Sequence, residues 1–140
     1  MWTALLRAHR TLTTRLDQEL RDRGDMTLDE YDVLYQIRLR RRPVRMTELA
    51  DAVLISRAST TRLVDRLVER EWVERWHDDG DRRVVLVRLT PTGRRAQGKA
   101  ARVHLDGIAR LVGSSLDAND LDAVETALTR LTALAVTARQ

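Results

Sequence analysis

The sequence predicts a mainly α-helical fold with a small β-hairpin, in which a winged helix-turn-helix core lies between N- and C-terminal helices. Three observations predict this class. A short helix and a longer one follow each other closely after Thr47, the apolar spacing changes from a helical to a strand period after Trp72, and basic residues are concentrated in mid-chain. A chain of 140 residues has the length of a single domain. We therefore expect one domain over 1–140, with the winged lobe over 28–90.

The first two helices are predicted from their apolar spacing and their end signals. Residues 2–23 place apolar side chains on one helical face, and Gly24 is expected to end that helix. The segment Thr27-Leu28-Asp29-Glu30 has the pattern of a capping box, which marks the start of a second helix. This second helix is expected to stop in the arginine run before Pro43.

A helix-turn-helix is predicted next. Thr47 is expected to cap a short helix, Leu54-Ile55 forms a tight link, and Ser56 caps a longer helix over Arg57–Glu71. The first two turns of the longer helix are polar and its C-terminal half is apolar. A helix that contacts base edges at one end and packs at the other has this asymmetry.

A β-hairpin with a basic tip follows directly, which is the order of elements in a winged domain. Val73–His77 and Val84–Leu89 are the two strands, because apolar residues there recur with a strand period or in a continuous β-branched run. The turn Asp78–Arg83 joins them, and Gly80 is able to adopt a positive φ there.

Two further helices complete the chain. Thr90-Pro91 starts one that extends to about Gly113, and Asp117 caps the last. The last helix places five apolar residues on one face: Leu121, Val124, Leu128, Leu131 and Leu134. A small winged lobe cannot cover so much apolar surface, and a second copy of the chain is the simplest partner. We therefore expect residues 1–26 and 91–140 to be dimerisation helices.

Composition narrows the function. Between Arg38 and Lys99 there are 16 basic and 9 acidic residues, whereas the two flanks together hold 9 basic and 12 acidic residues. A basic middle of this kind is typical of proteins that bind a polyanion. The absence of cysteine excludes disulfides and thiol redox sensing. Arg7, His9 and Arg10 interrupt any signal-peptide core, and no apolar run is long enough for a membrane helix, so a cytoplasmic protein is expected.

The sequence offers no set of residues for catalysis or metal binding. The three histidines have neither metal-ligand spacing nor a companion nucleophile: His9, His77 and His104. The aspartates of the wing turn lack the length and the terminal glutamate of a calcium loop. We expect a protein that is not an enzyme and that has neither cofactor nor metal.

Three motifs in order resemble the MarR (multiple antibiotic resistance regulator) family of winged helix-turn-helix regulators. They are Leu63-Val64-Asp65-Arg66-Leu67, Asp81-Arg82-Arg83 and Leu89-Thr90-Pro91-Thr92-Gly93. The resemblance implies a triangular homodimer whose two lobes bind successive major grooves of a pseudo-palindromic operator. It also implies repression of a nearby operon, with release of double-stranded DNA when a small aromatic or anionic effector binds.

The resemblance assigns roles to individual residues. Arg82 is placed in the minor groove, and Arg83 is paired with Asp65, tying the wing to the recognition helix. Six residues are placed at the DNA-facing start of that helix: Ser56, Arg57, Ser59, Thr60, Thr61 and Arg62. Arginine chemistry agrees with this assignment, because Arg57 and Arg62 can each donate two hydrogen bonds to one guanine.

The effector site is predicted less sharply. Trp2 and His9, seven residues apart on one face of the first helix, are the preferred effector-binding residues, because some family members line a pocket with this helix. Other candidates are Tyr31, Trp72, Trp76 and His104, although aromatic residues at helical spacing are usually core. The alternative function is a winged dimer that acts through protein partners without operator binding. Retention of arginine along the recognition helix and wing favours DNA.

Overall fold

In the computed structural model of the chain, residues 1–137 are described, with side chains described through Ala133. The chain divides into two compact units, residues 1–105 and the segment that begins at Asp106. The elements are α1 (Trp2–Glu19, continued by a π-helical turn over Leu20–Gly24), α2 (Leu28–Arg40), β1 (Val44–Arg45), α3 (Met46–Ala52), α4 (Arg57–Glu69), β2 (Val73–His77), β3 (Val85–Leu89), α5 (Pro91–Ile108, continued by a π-helical turn over Ala109–Gly113) and α6 (Ala118–Thr137). This is the winged helix-turn-helix that the sequence predicts.

The start of α2 confirms the predicted capping box. The amide of Glu30 donates to the hydroxyl of Thr27 at 3.1 Å, and the amide of Thr27 donates to the carboxylate of Glu30 at 2.8 Å. Two backbone donors that a helix start leaves free are thereby satisfied. The same carboxylate lies 3.6 Å from the guanidinium of Arg70, which links this cap to the end of α4.

The wing contains three strands rather than the predicted two. β3 lies in the centre, with β2 antiparallel on one side and β1 antiparallel on the other, in the register Val73↔Leu89 and Val44↔Val87. β1 was not predicted because two residues are too short to show a strand period. The sheet therefore attaches to the chain segment that leads into α3, as well as to α4 and α5.

The helix-turn-helix differs from expectation at one cap. α3 begins at Met46 with Arg45 as its N-cap, so Thr47 lies inside the helix and the prediction that it caps is wrong. Arg45 is still paired with β3, and the helix starts as soon as the strand ends. Ser56 is confirmed as the N-cap of α4, accepting a hydrogen bond from the amide of Ser59 at 3.1 Å.

The hydrophobic core lies in the first unit. It is formed by the inward sides of α2, α3 and α4 with one face of the sheet, and residues from the end of α1 and from α5 extend it. Its most deeply buried side chains are Leu20, Val33, Leu34, Val44, Leu49, Val64, Leu67, Val73 and Val87. The helical spacing of the apolar residues along α2 and α4 is therefore core spacing.

The base of the wing is fastened where β3 passes into α5. The amide of Thr90 donates to the carbonyl of Trp72 at 3.0 Å, and the Thr90 hydroxyl donates to the carbonyl of Glu71 at 2.7 Å. The same hydroxyl accepts from the amide of Gly93 at 2.9 Å, as expected of an N-cap before Pro91. A Cβ atom on Gly93 would lie 1.9 Å from the Trp72 carbonyl oxygen, so only glycine permits this approach.

The second unit consists of the end of α5 and α6. The predicted cap is confirmed, because the carboxylate of Asp117 accepts from the amide of Asp120 at 2.9 Å. Four residues of the predicted apolar face are exposed: Leu121, Val124, Leu128 and Leu131. The side chain of Leu134, the fifth, lies outside the described residues. Within residues 1–137 no helix is long and apolar enough to cross a membrane, and no three acidic or histidine side chains are grouped as metal ligands would be.

We predict that Gly93→Ala lowers the free energy of unfolding by about 1–3 kcal/mol, because a methyl group must displace the backbone of Trp72. Urea denaturation at fixed protein concentration measures the change. Gly113→Ala is the matched control, since nothing lies within 4 Å of the place that its methyl group would take, and the change there should stay below about 1 kcal/mol. Equal effects at the two glycines would contradict the close contact at Gly93.

Candidate nucleic-acid interface

The start of α4 presents a small polar surface. Arg57, Thr61 and Arg62 are exposed, and Ser59 is half-buried. The hydroxyl of Ser59 accepts from the hydroxyl of Ser56 at 2.9 Å and from the guanidinium of Arg62 at 3.4 Å. Five of the six predicted residues are therefore brought together at one end of the helix, with their side chains wholly or partly accessible.

Thr60 is the exception, and its predicted place in the DNA-facing set is wrong. Its side chain is fully buried, and its hydroxyl donates to the carbonyl of Ser56 at 2.9 Å. Thr60 precedes Leu63, Val64 and Leu67 at spacings of three, four and seven, so it lies on the inward side of α4. A polar residue type in this turn does not by itself indicate an outward side chain.

Arg57 has a partner that the sequence did not predict. Its guanidinium donates to the carboxylate of Asp51, near the end of α3, at 2.5 Å. Both side chains are about two-thirds exposed, so the pair contributes little to stability. It does restrict the direction of the Arg57 side chain, and it engages only one end of the guanidinium.

The wing turn is closed by hydrogen bonds on both sides of Arg82. The amide of Asp78 donates to the carbonyl of Val84 at 2.9 Å, and the carboxylate of Asp81 accepts from the amide and guanidinium of Arg83. The hydrogen bonds from Arg83 lower the pKa of Asp81. Gly80 does not use the positive φ that is open to a glycine; the turn bends through ordinary backbone conformations.

Arg82 lies at this tip with its side chain exposed. Among the described side chains, which extend through Ala133, none hydrogen-bonds to or pairs with its guanidinium, and its backbone carbonyl contacts the ring of His77. An unpaired guanidinium at the end of a braced hairpin is free to enter a narrow minor groove, where the negative potential attracts it.

The predicted pairing of Asp65 with Arg83 is wrong. Asp65 on α4 forms a short ion pair with Arg75 on β2, while Arg83 binds Asp81. Arg75 comes two residues into the strand that follows α4, so it lies beside the helix, whereas Arg83 is at the far end of the turn. The recognition helix is thus linked to the wing by an ion pair, but the partner of Asp65 lies on β2 and not in the turn.

A basic cleft between α2 and α5 is a second candidate site. It encloses about 920 Å³ and is lined by Tyr31, Tyr35, Arg38, Leu39, Arg41, Arg94, Arg95, Gln97, Gly98, Lys99, Ala101, Arg102 and Leu105. The rings of Tyr31 and Tyr35 stack with centroids 6.1 Å apart. Arg38 donates to the buried side chain of Gln97 at 2.5 Å, which fixes its guanidinium at the wall. The cleft combines aromatic faces with six cations.

His104 borders the Tyr31 side of this cleft. Its ring packs at a tilt against Tyr31 with a centroid distance of 4.5 Å. Burial lowers the pKa of His104, although Asp32 acts in the opposite direction. Its Nδ1 atom is buried and has no hydrogen-bond partner among the described residues. The sequence indicated Tyr31 and His104 as candidates, but it gave no means of finding the arginines that α5 brings opposite them.

The other effector candidates lie elsewhere. Trp2 and His9 are exposed on α1, and neither lines the cleft. Trp72 is buried, with the guanidinium of Arg70 3.5 Å from its ring centroid, and Arg88 lies 5.3 Å from the ring of Trp76. Arginine side chains of the protein itself thus occupy one face of each of these two rings.

The fold and the accessible start of α4 define a winged helix-turn-helix protein. Comparison with known proteins agrees: the sequence pattern of the MarR family matches residues 26–85. Two structures of MarR family regulators from Streptomyces coelicolor superpose closely. AbsC has a TM-score of 0.89 and 25% identity over 97% of this chain and 92% of its own. Sco3205, solved with DNA, has a TM-score of 0.88 and 27% identity over 96% and 88%.

Sequence similarity to curated proteins covers about half of the chain. The multiple antibiotic resistance protein MarR of Salmonella typhimurium is 36% identical over 69 residues, which are 49% of this chain and 47% of that protein. The chain thus spans about half the length of the curated relatives it matches. Together with the structures, which cover nearly the whole chain, these matches show that the chain is similar to MarR family regulators and shares their fold.

Proposed function

We propose that this protein is a sequence-specific transcriptional regulator that binds double-stranded DNA as a homodimer and represses transcription from a pseudo-palindromic operator. The observation that carries the proposal is that one lobe presents two accessible basic features. They are the exposed start of α4 and the unpaired Arg82 at the wing tip. Sco3205, similar along most of its length, has been solved with DNA.

The two features suit different parts of a duplex. Arg57 and Arg62 each carry donors that match the O6 and N7 atoms of guanine in the major groove, and Thr61 can contact bases or phosphates. Ser56 and Ser59 hold the helix start and Arg62 in place through their hydroxyls. Arg82 is the minor-groove contact, which supplies affinity and senses groove width.

A homodimer accounts for apolar surface that each unit leaves uncovered. In the first unit, at least half of the surface is exposed at Trp2, Leu6 and Leu105. In the second unit, four apolar residues of α6 are exposed. Burial of such residues in a two-fold interface presents two lobes to DNA, and a two-fold dimer matches a pseudo-palindrome. Residues 1–26 and 91–140 are proposed to form this interface.

We further propose that a small aromatic anion binding in the cleft between α2 and α5 regulates the DNA-bound state. The tyrosine rings offer stacking surfaces, and the guanidinium of Arg38 can hold a carboxylate. This cleft is preferred to Trp2 and His9, which remain a second candidate pair. The protein is proposed to have no catalytic activity and to act in the cytoplasm, where its DNA is accessible.

The alternative is a winged dimer that acts only through protein partners. The exposed arginines of α4 and the wing favour DNA, because nothing else in the described structure uses the Arg82 guanidinium. The distinguishing experiment selects duplexes from a random library with the wild-type protein and titrates the recovered sequence and a scrambled control at two salt concentrations. At least a roughly thousandfold preference for the selected duplex is expected. Equal affinity for both would contradict the proposed function.

We predict that Arg82→Ala weakens binding to the selected duplex and lowers the slope of log affinity against log salt by about one unit, because one phosphate-proximal cation is lost. The slope is measured by fluorescence anisotropy over a salt series. Arg15→Ala removes the same charge from an exposed position on α1. Because α1 belongs to the proposed dimer interface, this variant serves as the control once size-exclusion chromatography shows that it keeps the oligomeric state of the wild type. Unchanged affinity and slope in Arg82→Ala would remove the wing from the interface.

We predict that a hydroxybenzoate or a related aromatic carboxylate raises the melting temperature and reduces affinity for the selected duplex. Arg38→Met should abolish both effects, because it removes the guanidinium that Gln97 holds. Thermal shift and DNA competition measure the two effects. His9→Ala is the parallel variant: loss of the response there, but not in Arg38→Met, would place the effector at α1.

A further inference from the structure

We propose that His77 is a positioning residue that holds the wing tip in the shape in which Arg82 projects outward. The proposal rests on the proposed function, since the value of a fixed Arg82 lies in DNA binding. It goes beyond that function by assigning a role to a histidine for which the sequence indicated neither metal-ligand spacing nor a companion nucleophile.

The geometry of the hairpin shows why a brace is needed at this point. His77 is the last residue of β2, and its pairing with Val85 ends the strand ladder. Beyond this pair, the backbone hydrogen bonds are one from Asp78 to Val84 and one from Val84 to Asp81, at 2.9 and 2.8 Å. The segment that carries Arg82 therefore lies outside the regular sheet.

The ring of His77 reaches across this segment. Its Nδ1 donates to the carbonyl of Arg82 at 2.7 Å, a normal hydrogen-bond length. A carbonyl oxygen can only accept a hydrogen bond, so Nδ1 must carry a proton. The contact with Arg82 therefore favours the form of the ring that is protonated at Nδ1. The bond joins the end of the strand to the residue at the tip, five positions further along the chain.

A second hydrogen-bonded link acts on the next residue. The amide and guanidinium of Arg83 bind Asp81, so the backbone on the far side of Arg82 is fixed as well. Arg82 is thus held at its carbonyl and at the following amide, while its side chain has no partner in the described part of the chain. A side chain that starts from a fixed backbone loses less conformational entropy when it binds.

An exposed histidine beside a DNA-binding wing could instead contact phosphate through its other ring nitrogen, Nε2. Two substitutions separate these roles. The side-chain amide of Asn places an N–H near the position of Nδ1, whereas the longer side chain of Gln places one near Nε2. His77→Asn should therefore preserve the brace, and His77→Gln should not.

The first test uses the free full-length protein and measures amide hydrogen exchange. In His77→Ala and His77→Gln we expect the amides of Arg83 and Val84 to exchange roughly threefold to tenfold faster, the effect of losing one hydrogen bond. His77→Asn should exchange close to the wild-type rate, and the core amide of Val64 should not change in any variant. Unchanged exchange at the wing in His77→Ala would overturn the brace.

The second test measures binding to the selected duplex. We expect His77→Ala to bind roughly threefold to tenfold more weakly with an unchanged salt slope, and His77→Asn to bind as the wild type does. Combining His77→Ala with Arg82→Ala should add almost nothing to the loss caused by Arg82→Ala alone. A reduced salt slope, rescue by Gln rather than Asn, or additive losses would overturn the proposal. The exchange measurement needs no DNA, so it decides the brace even if the wild-type protein selects no duplex.

Discussion

Burial of one side of α4 is the constraint on which the rest of the lobe depends. Leu63, Val64 and Leu67 pack into the core, and burial of each contributes about 1.5–3 kcal/mol. The helix cannot rotate about its axis without exposing them. The opposite side, with Arg57, Thr61 and Arg62, must therefore face outward. The proposed contact surface is the geometric complement of the core.

The wing takes its position from the same helix. Asp65 on α4 pairs with Arg75 on β2, and the turn after α4 packs its backbone against Gly93 at the start of α5. β1 adds a third attachment through its pairing with β3. The sheet is thus fixed at its base on several sides, and the hydrogen bonds of the tip then hold Arg82. The position of Arg82 relative to the core is therefore set by these contacts.

Features with a local cause could be predicted from the sequence. The Thr27–Glu30 capping box, the Ser56 cap and the two main strands depend on residues within a few positions of each other, and all were confirmed. Features that depend on tertiary packing were not predicted. β1 is too short to show a strand period, and the Thr60 side chain points inward because it lies on the buried side of α4.

The same limit applies to pairs of side chains. Asp65 has arginines at several distances along the chain, and only the path of β2 selects Arg75. The cleft between α2 and α5 likewise joins tyrosines and arginines that are about 60 residues apart in sequence, so no pattern in either segment reveals it.

The central claim is that the exposed start of α4 recognises bases while the wing anchors the protein. The most direct measurement compares the wild type and Arg57→Ala on a panel of single-base-pair variants of the selected duplex. We expect Arg57→Ala to lose about 1–3 kcal/mol of discrimination at one symmetric pair of positions and to retain it elsewhere. A uniform loss of affinity across the panel, with every base preference retained, would contradict base recognition by Arg57.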